Sequence, residues 1–305
     1  MTNEINEIAS KHLGKTSDGA TMTPYVTPDK ADPDLLVAIP RYLNRVAYDI
    51  NENKLPFYGV DIWNVYEVSF INSESNYPYS GIVKFIVPAD SPNIVESKSV
   101  KLYFNSYNLQ VIRPHDFIKD VKRHLSEKVG AKVNVYLFRS DEVNWENPLD
   151  ERTVKITDVQ LFDSTHGHLT FDKETPGLIQ TKPNFSNREV YHFDSLRSNC
   201  RVTNQPDWGD LLLIADGTET IEPSSMAKYI VSFRKENHFH EEVCEMIYKR
   251  LYDRFQPYSL DELTVMCFYT RRGGIDINPI RTSTPFSPSV TKLVNDKPWG
   301  KTGRQ

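Results

Sequence analysis

The feature that most constrains this chain is an order of elements that is written twice. A polar segment at 166–188, with turn formers such as Gly167, Pro176, Gly177, Pro183 and Asn184, separates the two copies. Before it, 82–87 and 132–138 are rich in β-branched and aromatic residues and predict strands. Between them Phe117, Ile118, Val121, Leu125 and Val129 recur at helical spacing, and Gly130 stands where a left-handed helix end is wanted. Residues 153–162 alternate again like a strand. After the segment, 200–203 and 211–215 predict a hairpin about a turn at 205–209. Residues 225–233 and 239–255 predict helices. In the second helix Phe239, Val243, Ile247, Leu251 and Phe255 form one i+4 stripe that must face a core. Residues 263–269 predict a strand, and Gly273 with Gly274 a turn into 275–278. A local echo supports the duplication: Lys101-Leu-Tyr-Phe-Asn-Ser-Tyr107 is patterned like Lys228-Tyr-Ile-Val-Ser-Phe233. The expectation is an α+β chain of two tandem modules, 1–165 and 189–305, with 166–188 as the linker.

A length of 305 residues accommodates two such modules of about 150 residues each. The net charge of −5 argues against a chain whose main task is to grip nucleic acid through its phosphates. A local basic patch for a small anionic ligand remains compatible with it. No run of 18 apolar residues predicts a transmembrane helix. Residues 1–19 are polar and lack the charged start and apolar stretch of a secretion signal. Cys200, Cys244 and Cys267 are too few and too widely spaced for a disulfide framework, so a reducing cytoplasm is the expected setting.

Four stretches carry residues suited to chemistry. In Ser198-Asn-Cys-Arg-Val-Thr-Asn-Gln-Pro-Asp-Trp-Gly209, a hairpin would fold Cys200 and Asp207 toward each other. A thiol beside a carboxylic acid suits attack on an electrophile followed by protonation. Arg201 is one candidate to favour the thiolate. A buried structural cysteine beside a turn aspartate is the plain alternative. In His238-Phe-His-Glu-Glu242, a carboxylate could accept two N–H donors from a guanine-like edge while His240 bonds another polar group. The helix dipole alone would also explain Glu241 and Glu242. Ser97, Lys98, Ser99 and Lys101 suit phosphate oxygens, or simply a solvated strand edge. Arg271-Arg272-Gly273-Gly274 could bring cationic groups close to a phosphate, or form an ordinary turn. No Cys-x-x-Cys, no His-Glu-x-x-His and no Gly-x-Gly-x-x-Gly after a strand is present.

Taken together, these stretches resemble one family in order and over most of the chain. Glu96-Ser-Lys-Ser-Val-Lys-Leu-Tyr103 looks like the signature of the QueF nitrile reductases. Ser198–Gly209, Phe239-His-Glu241 and Tyr269-Thr-Arg-Arg-Gly-Gly-Ile-Asp-Ile-Asn-Pro279 look like three further blocks. Leu55-Pro-Phe-Tyr-Gly-Val-Asp-Ile-Trp63 and Pro40-Arg-Tyr-Leu-Asn-Arg45 look familiar too. The resemblance implies the long form, two tandem tunnelling-fold modules, each an antiparallel sheet with packed helices, and a homodimer. It implies NADPH-dependent, metal-free, four-electron reduction of the nitrile of 7-cyano-7-deazaguanine to 7-aminomethyl-7-deazaguanine, a step toward queuosine in tRNA. By that pattern Cys200 forms a covalent thioimide and Asp207 supplies the proton. Val95, Glu96, Ser97, His240 and Glu241 contact the substrate. Ser97, Lys98, Arg272 and Gly273 contact NADPH. Arg201 and Asn204 vary within the catalytic block, 141–151 is an additional acidic loop, and 297–305 extends the tail. Two other readings stay open: a metal-dependent pterin-forming hydrolase similar to GTP cyclohydrolase, and a non-catalytic purine- or pterin-binding module.

Overall fold

A computed structural model describes residues 28, 30–143, 154–156, 173–184, 188–255, 260–295 and 297–298. The expectations for the N-terminal 1–19, most of the 141–151 loop, the later part of the 153–162 strand and most of the 297–305 tail lie outside these residues.

Thirteen strands are described. They are β1 (Ala38–Pro40), β2 (Tyr58–Asn72), β3 (Tyr77–Pro88), β4 (Asn93–Val95), β5 (Val111–Ile112), β6 (Asn134–Phe138) and β7 (Val154–Ile156), then β8 (Thr181–Pro183), β9 (Arg188–Asn199), β10 (Pro206–Gly217), β11 (Glu219–Ile221), β12 (Leu260–Tyr269) and β13 (Ile275–Thr282). The helices are α1 (Tyr42–Arg45), α2 (Ser97–Asn105), α3 (Pro114–Val129), α4 (Pro223–Val231), α5 (His240–Phe255) and α6 (Pro288–Asn295). One sheet runs β6-β3-β2-β13-β12-β10-β9-β7, with β5 added beside β2. Among the described strand pairs, β5 on β2 and β7 on β9 are parallel and the rest antiparallel. The two halves meet where β13 pairs antiparallel with β2, Ile275 opposite Val65 and Thr282 opposite Tyr58.

The duplication extends to single hydrogen bonds. In each half a short strap pairs with the strand that leads into the first helix, β1 with β4 and β8 with β11. Each strap is preceded by a 3-10 turn, Pro33–Leu35 and Pro176–Leu178. Glu96 caps α2 by accepting the N–H groups of Lys98 and Ser99, and Glu222 caps α4 by accepting that of Ser225. The Ser99 hydroxyl accepts from Val37 N–H, and the Ser225 hydroxyl from Gln180 N–H. One helix end later, the Ser106 hydroxyl accepts from Asp32 N–H and that of Ser232 from Thr175 N–H. The echo therefore aligns Tyr103 and Ser106 with Tyr229 and Ser232, each serine donating back to its tyrosine carbonyl.

Each half has its own core against one face of the sheet. The i+4 stripe of α5 is buried as expected: Val243, Ile247 and Leu251 are fully enclosed and Phe255 is 1% exposed. Truncating such a residue, Ile247→Ala for example, costs about 2–5 kcal/mol. Phe239 precedes the helix, which starts at His240. The N-terminal core joins Trp63, Phe70, Phe85, Phe104 and Phe117. On the opposite face α6 covers the seam, packing Val290 and Val294 on Ile62, Leu212, Met266 and Ile280.

Three local expectations are corrected. Residues 200–203 are not a strand. They form the hairpin turn itself, which runs from Cys200 to Gln205, while β9 ends at Asn199 and β10 starts at Pro206. The cause is Asn204, which takes a left-handed φ of 54° and lets Cys200 N–H donate to the Gln205 carbonyl. Ser97 to Asn105 form a helix, not a strand edge, because Glu96 caps it and Val100, Tyr103 and Phe104 turn one buried face inward. Within 166–188, residues 173–183 build the second module's strap through β8 rather than a plain connection.

Candidate active site

The tight turn after β9 determines the environment of Cys200. Its thiol is half-buried. Burial alone pushes the thiol pKa up, but the Thr203 hydroxyl, the N–H groups of Thr203 and Val202, and the Arg272 charge bring it below its ordinary value. Arg201, the sequence candidate for that influence, is used elsewhere. It pairs with Glu242 at 2.9 Å and donates to the Asn44 side-chain oxygen at 3.4 Å. The other two thiols lie in the core. Cys244 faces the carbonyls of Val265 and Pro279, and burial pushes Cys267 far up.

Asp207, at the second position of β10, is 4% exposed. Its carboxylate contacts Arg272 and lies 3.4 Å from His240 Nε2. The His240 ring stacks on Tyr269, centroids 3.7 Å apart and planes 6° apart, which fixes the imidazole toward the acid. Arg272 leaves the β12–β13 turn and also reaches the Pro206 carbonyl and the Gln205 side chain. That turn requires its glycines: Gly273 and Gly274 have φ of 55° and 77°, and a Cβ on Gly274 would meet Glu67 Cδ at 2.4 Å.

Glu241 lies in the first turn of α5 and is only 2% exposed. Among the described residues its Oε1 has no hydrogen-bond partner. Burial and then Asp61 push this carboxyl up to about 8, while Arg41 and Arg281 pull the other way. A buried acceptor left open costs stability unless a ligand fills it. The start of α5 is held by Glu242, which accepts the Phe239 N–H, and by His238, which lies 3.1 Å from Glu236 Oε2. Glu236 and Asn199 exchange further backbone bonds with this loop, tying it to the Cys200 turn.

These side chains line one cavity: Cys200, Asp207, His238, Phe239, His240, Glu241 and Arg272 from the second half, Trp63, Val95 and Ser97 from the first, and Ile275 and Ile277 at the seam. Of the residues to which the resemblance assigns a site role, Glu96, Lys98 and Gly273 are not in the lining. Both Glu96 oxygens are engaged by the α2 N-terminus. Lys98 is exposed. Gly273 borders a neighbouring open cleft of about 600 Å³, together with Lys101, Arg271 and Tyr66. Trp63, His238, Phe239, Ile275 and Ile277 were not assigned site roles from sequence. Trp63 and Phe239 belong to quoted blocks, and Ile275 and Ile277 continue the glycine turn, so their neighbourhood was visible although their orientation was not. Among the described residues no three His, Cys, Asp or Glu side chains gather as metal ligands, and no helix is long and apolar enough to cross a membrane.

The fold and site define a two-module α+β protein whose single described thiol-and-acid centre is assembled by both halves. Residues 27–137 match the family described as nitrile reductase, 7-cyano-7-deazaguanine reductase N-terminal, and 206–286 match the QueF-like protein family. The chain is 37% identical over 283 residues to the NADPH-dependent 7-cyano-7-deazaguanine reductase of Ralstonia nicotianae, covering 91% of this chain and 95% of that one. It is 39% identical over 263 residues to the reductase of the same name from Cupriavidus metallidurans, covering 84% and 90%. The chain belongs to the QueF nitrile reductase family.

Proposed function

We propose that this protein reduces the nitrile of 7-cyano-7-deazaguanine to the primary amine with NADPH, in the formation of queuosine, and that Cys200 is its nucleophile. The observation that carries the reading is the meeting, in one cavity, of a thiol whose pKa is lowered by its turn, an acid held by Arg272 and His240, and a buried carboxyl with an open oxygen.

A nitrile is a poor hydride acceptor. Asp207 takes the Cys200 thiol proton, the sulfur attacks the nitrile carbon, a C–S bond forms as one C–N π bond breaks, and Asp207 passes that proton to the nitrogen. His240, locked on Tyr269, orients that acid and can return a proton to it. Glu241 accepts the N–H donors of the pyrimidine edge, and Val95 and Ser97 border the base. Trp63, Phe239, Ile275 and Ile277 keep water away from the reacting carbon. NADPH, when bound, would supply two hydrides, one in each of two rounds. Ser97, Lys98, Arg272 and Gly273 are the residues assigned to hold it. Basic Lys101 and Arg271 beside Gly273, along an open cleft of about 600 Å³, suit its anionic part. The free space inside the substrate cavity is about 40 Å³, so a bicyclic base enters as groups at its mouth yield. Glu96 then contributes by fixing the α2 terminus next to Ser97. We further infer a homodimer, for which the family resemblance is the support; light scattering after size exclusion tests it.

Incubation of the protein with 7-cyano-7-deazaguanine and NADPH should remove absorbance at about 340 nm, with two cofactors consumed per amine formed. No loss at any enzyme level overturns the reading.

A further inference from the structure

Behind Glu241 lies a cluster of charges that the reaction above does not use. Arg41, Arg45, Asp61, Glu245 and Arg281 are 5%, 2%, 0%, 2% and 0% exposed. Asp61 is paired with Arg41 and, at 2.8 Å, with Arg281. Glu245 is paired with Arg45 and Arg281, both at 2.8 Å, and lies 3.7 Å from Arg41. These partners hold the Glu245 carboxyl at about 2 in spite of its burial. Two carboxylates thus face three guanidiniums. Glu52, 3.4 Å from Arg45, sits at the rim with its side chain 41% exposed and is screened by water. An uncompensated buried charge is costly, so a further carboxyl near the fully enclosed part of the cluster would find its ionised form favoured. Glu241, itself buried, lies one helical turn before Glu245 on α5 and so on the same side of that helix.

We propose that Arg41 is a positioning residue for Glu241: with Arg281 it supplies the positive charge that lets the buried Glu241 carboxyl ionise when the base binds. Recognition of the base by the C-terminal module then depends on a guanidinium of the N-terminal one. The inference rests on Glu241 being the acceptor for the base edge. Groups from every side bear on it. Asp61 of β2 opposes ionisation, and Arg41 before α1 and Arg281 of β13 favour it. Tyr269 of β12 feels the Glu241 charge. His240, Glu242 and Glu245 share α5, and Asp207 of β10 faces His240. Arg41 is fixed by its own bond to the Ser91 hydroxyl at 3.1 Å, so its charge is held rather than mobile.

The test is the affinity of the full-length protein for 7-deazaguanine between about pH 6 and 9, by calorimetry. This probe carries the base edge but no nitrile to trap Cys200. Two N–H donors select the ionised acceptor, so wild-type affinity should rise with pH and then level, with proton release on binding at neutral pH. Arg41→Met should weaken binding at pH 7 about tenfold or more and move the midpoint up by about one unit, tenfold in proton affinity being one unit. Arg41→Lys should restore it. Asp61→Asn should move the midpoint down. Opposite shifts are not what loosened packing would produce. Equal midpoints in folded Arg41→Met and Asp61→Asn overturn the proposal, as does wild-type binding without proton release should either variant not fold. Glu241→Gln separates the two claims. It should bind at least tenfold more weakly with no pH dependence. Wild-type affinity in Glu241→Gln means that the base-edge reading has failed, whatever Arg41 does.

Discussion

The two modules share a scaffold down to their serine hydroxyls, yet their hairpin turns differ in use. The N-terminal hairpin, β2 to β3, turns through Asn76 at φ 52°, and the C-terminal one, β9 to β10, through Asn204 at φ 54°. Residues 73–76 of the first turn are exposed and offer no thiol. In the second turn Cys200 sits against Thr203 and Val202 N–H groups and under Arg272. The second helices diverge in the same way. The second residue of α3 is His115, exposed, whereas that of α5 is Glu241, buried. The N-terminal module contributes instead the α2 terminus at Ser97, its strand residue Trp63 and its buried Arg41 and Asp61. Duplication supplied two similar frames, and the site arises at the seam, where one frame brings the reactive groups and the other their walls and counter-charges.

The sharpest way to break this comparison is to exchange the turns' fates. Cys200→Ala should lower turnover by about 10⁴-fold or more, as loss of a covalent nucleophile does. Ser75→Ala in the N-terminal turn should leave steady-state rates within about twofold. Next, Asp207→Asn removes the proton source and should cut kcat by about 10²- to 10⁴-fold with a smaller change in KM. Smaller still are the two helix caps. Glu96→Ala and Glu222→Ala should each cost about 1 kcal/mol in denaturant unfolding, but only Glu96→Ala should also raise KM, because only α2 borders the site. Least in size is the thiol's own titration. Alkylation of the native protein should occur at Cys200 alone, with a midpoint below that of the unfolded chain. Thr203→Val should move it upward by up to about one pH unit, since the lost hydroxyl favoured the thiolate. Labelling of Cys244 or Cys267 in the folded state would contradict their burial.

Much of this was legible in the sequence because it is local or periodic. The α5 stripe from Val243 to Phe255 needs only a 3.6-residue period. That Cys200 and Asp207 come to one cavity needs only a turn between them. Where that turn falls was not legible: Pro206 and Gly209 suggested 205–209, while the left-handed Asn204 placed it earlier. The α2 helix was hidden because Ser97, Lys98, Ser99 and Lys101 carry little apolar signal, and its start is set by a capping bond from Glu96. That bond also explains why Glu96 is not in the cavity lining. Arg201 was the nearest basic residue in sequence to the thiol, but Arg272, from a different hairpin, is the one whose charge acts on it. The Arg41–Asp61–Glu245–Arg281 cluster was invisible for the same reason. Its members come from the residue before α1, from β2, from α5 and from β13, and β2 pairing with β13 brings Asp61 and Arg281 together.

The central claim is that the C-terminal turn makes Cys200 a nucleophile in a site completed by the other module. Intact-mass measurement after incubation with 7-cyano-7-deazaguanine, without NADPH, tests it most directly. The wild-type chain should gain the full mass of one nitrile molecule, since the thiol adds across the triple bond with no leaving group, and Cys200→Ala should gain nothing. An unmodified wild-type chain under conditions where it turns over with NADPH, or an equal gain in Cys200→Ala, would contradict the account.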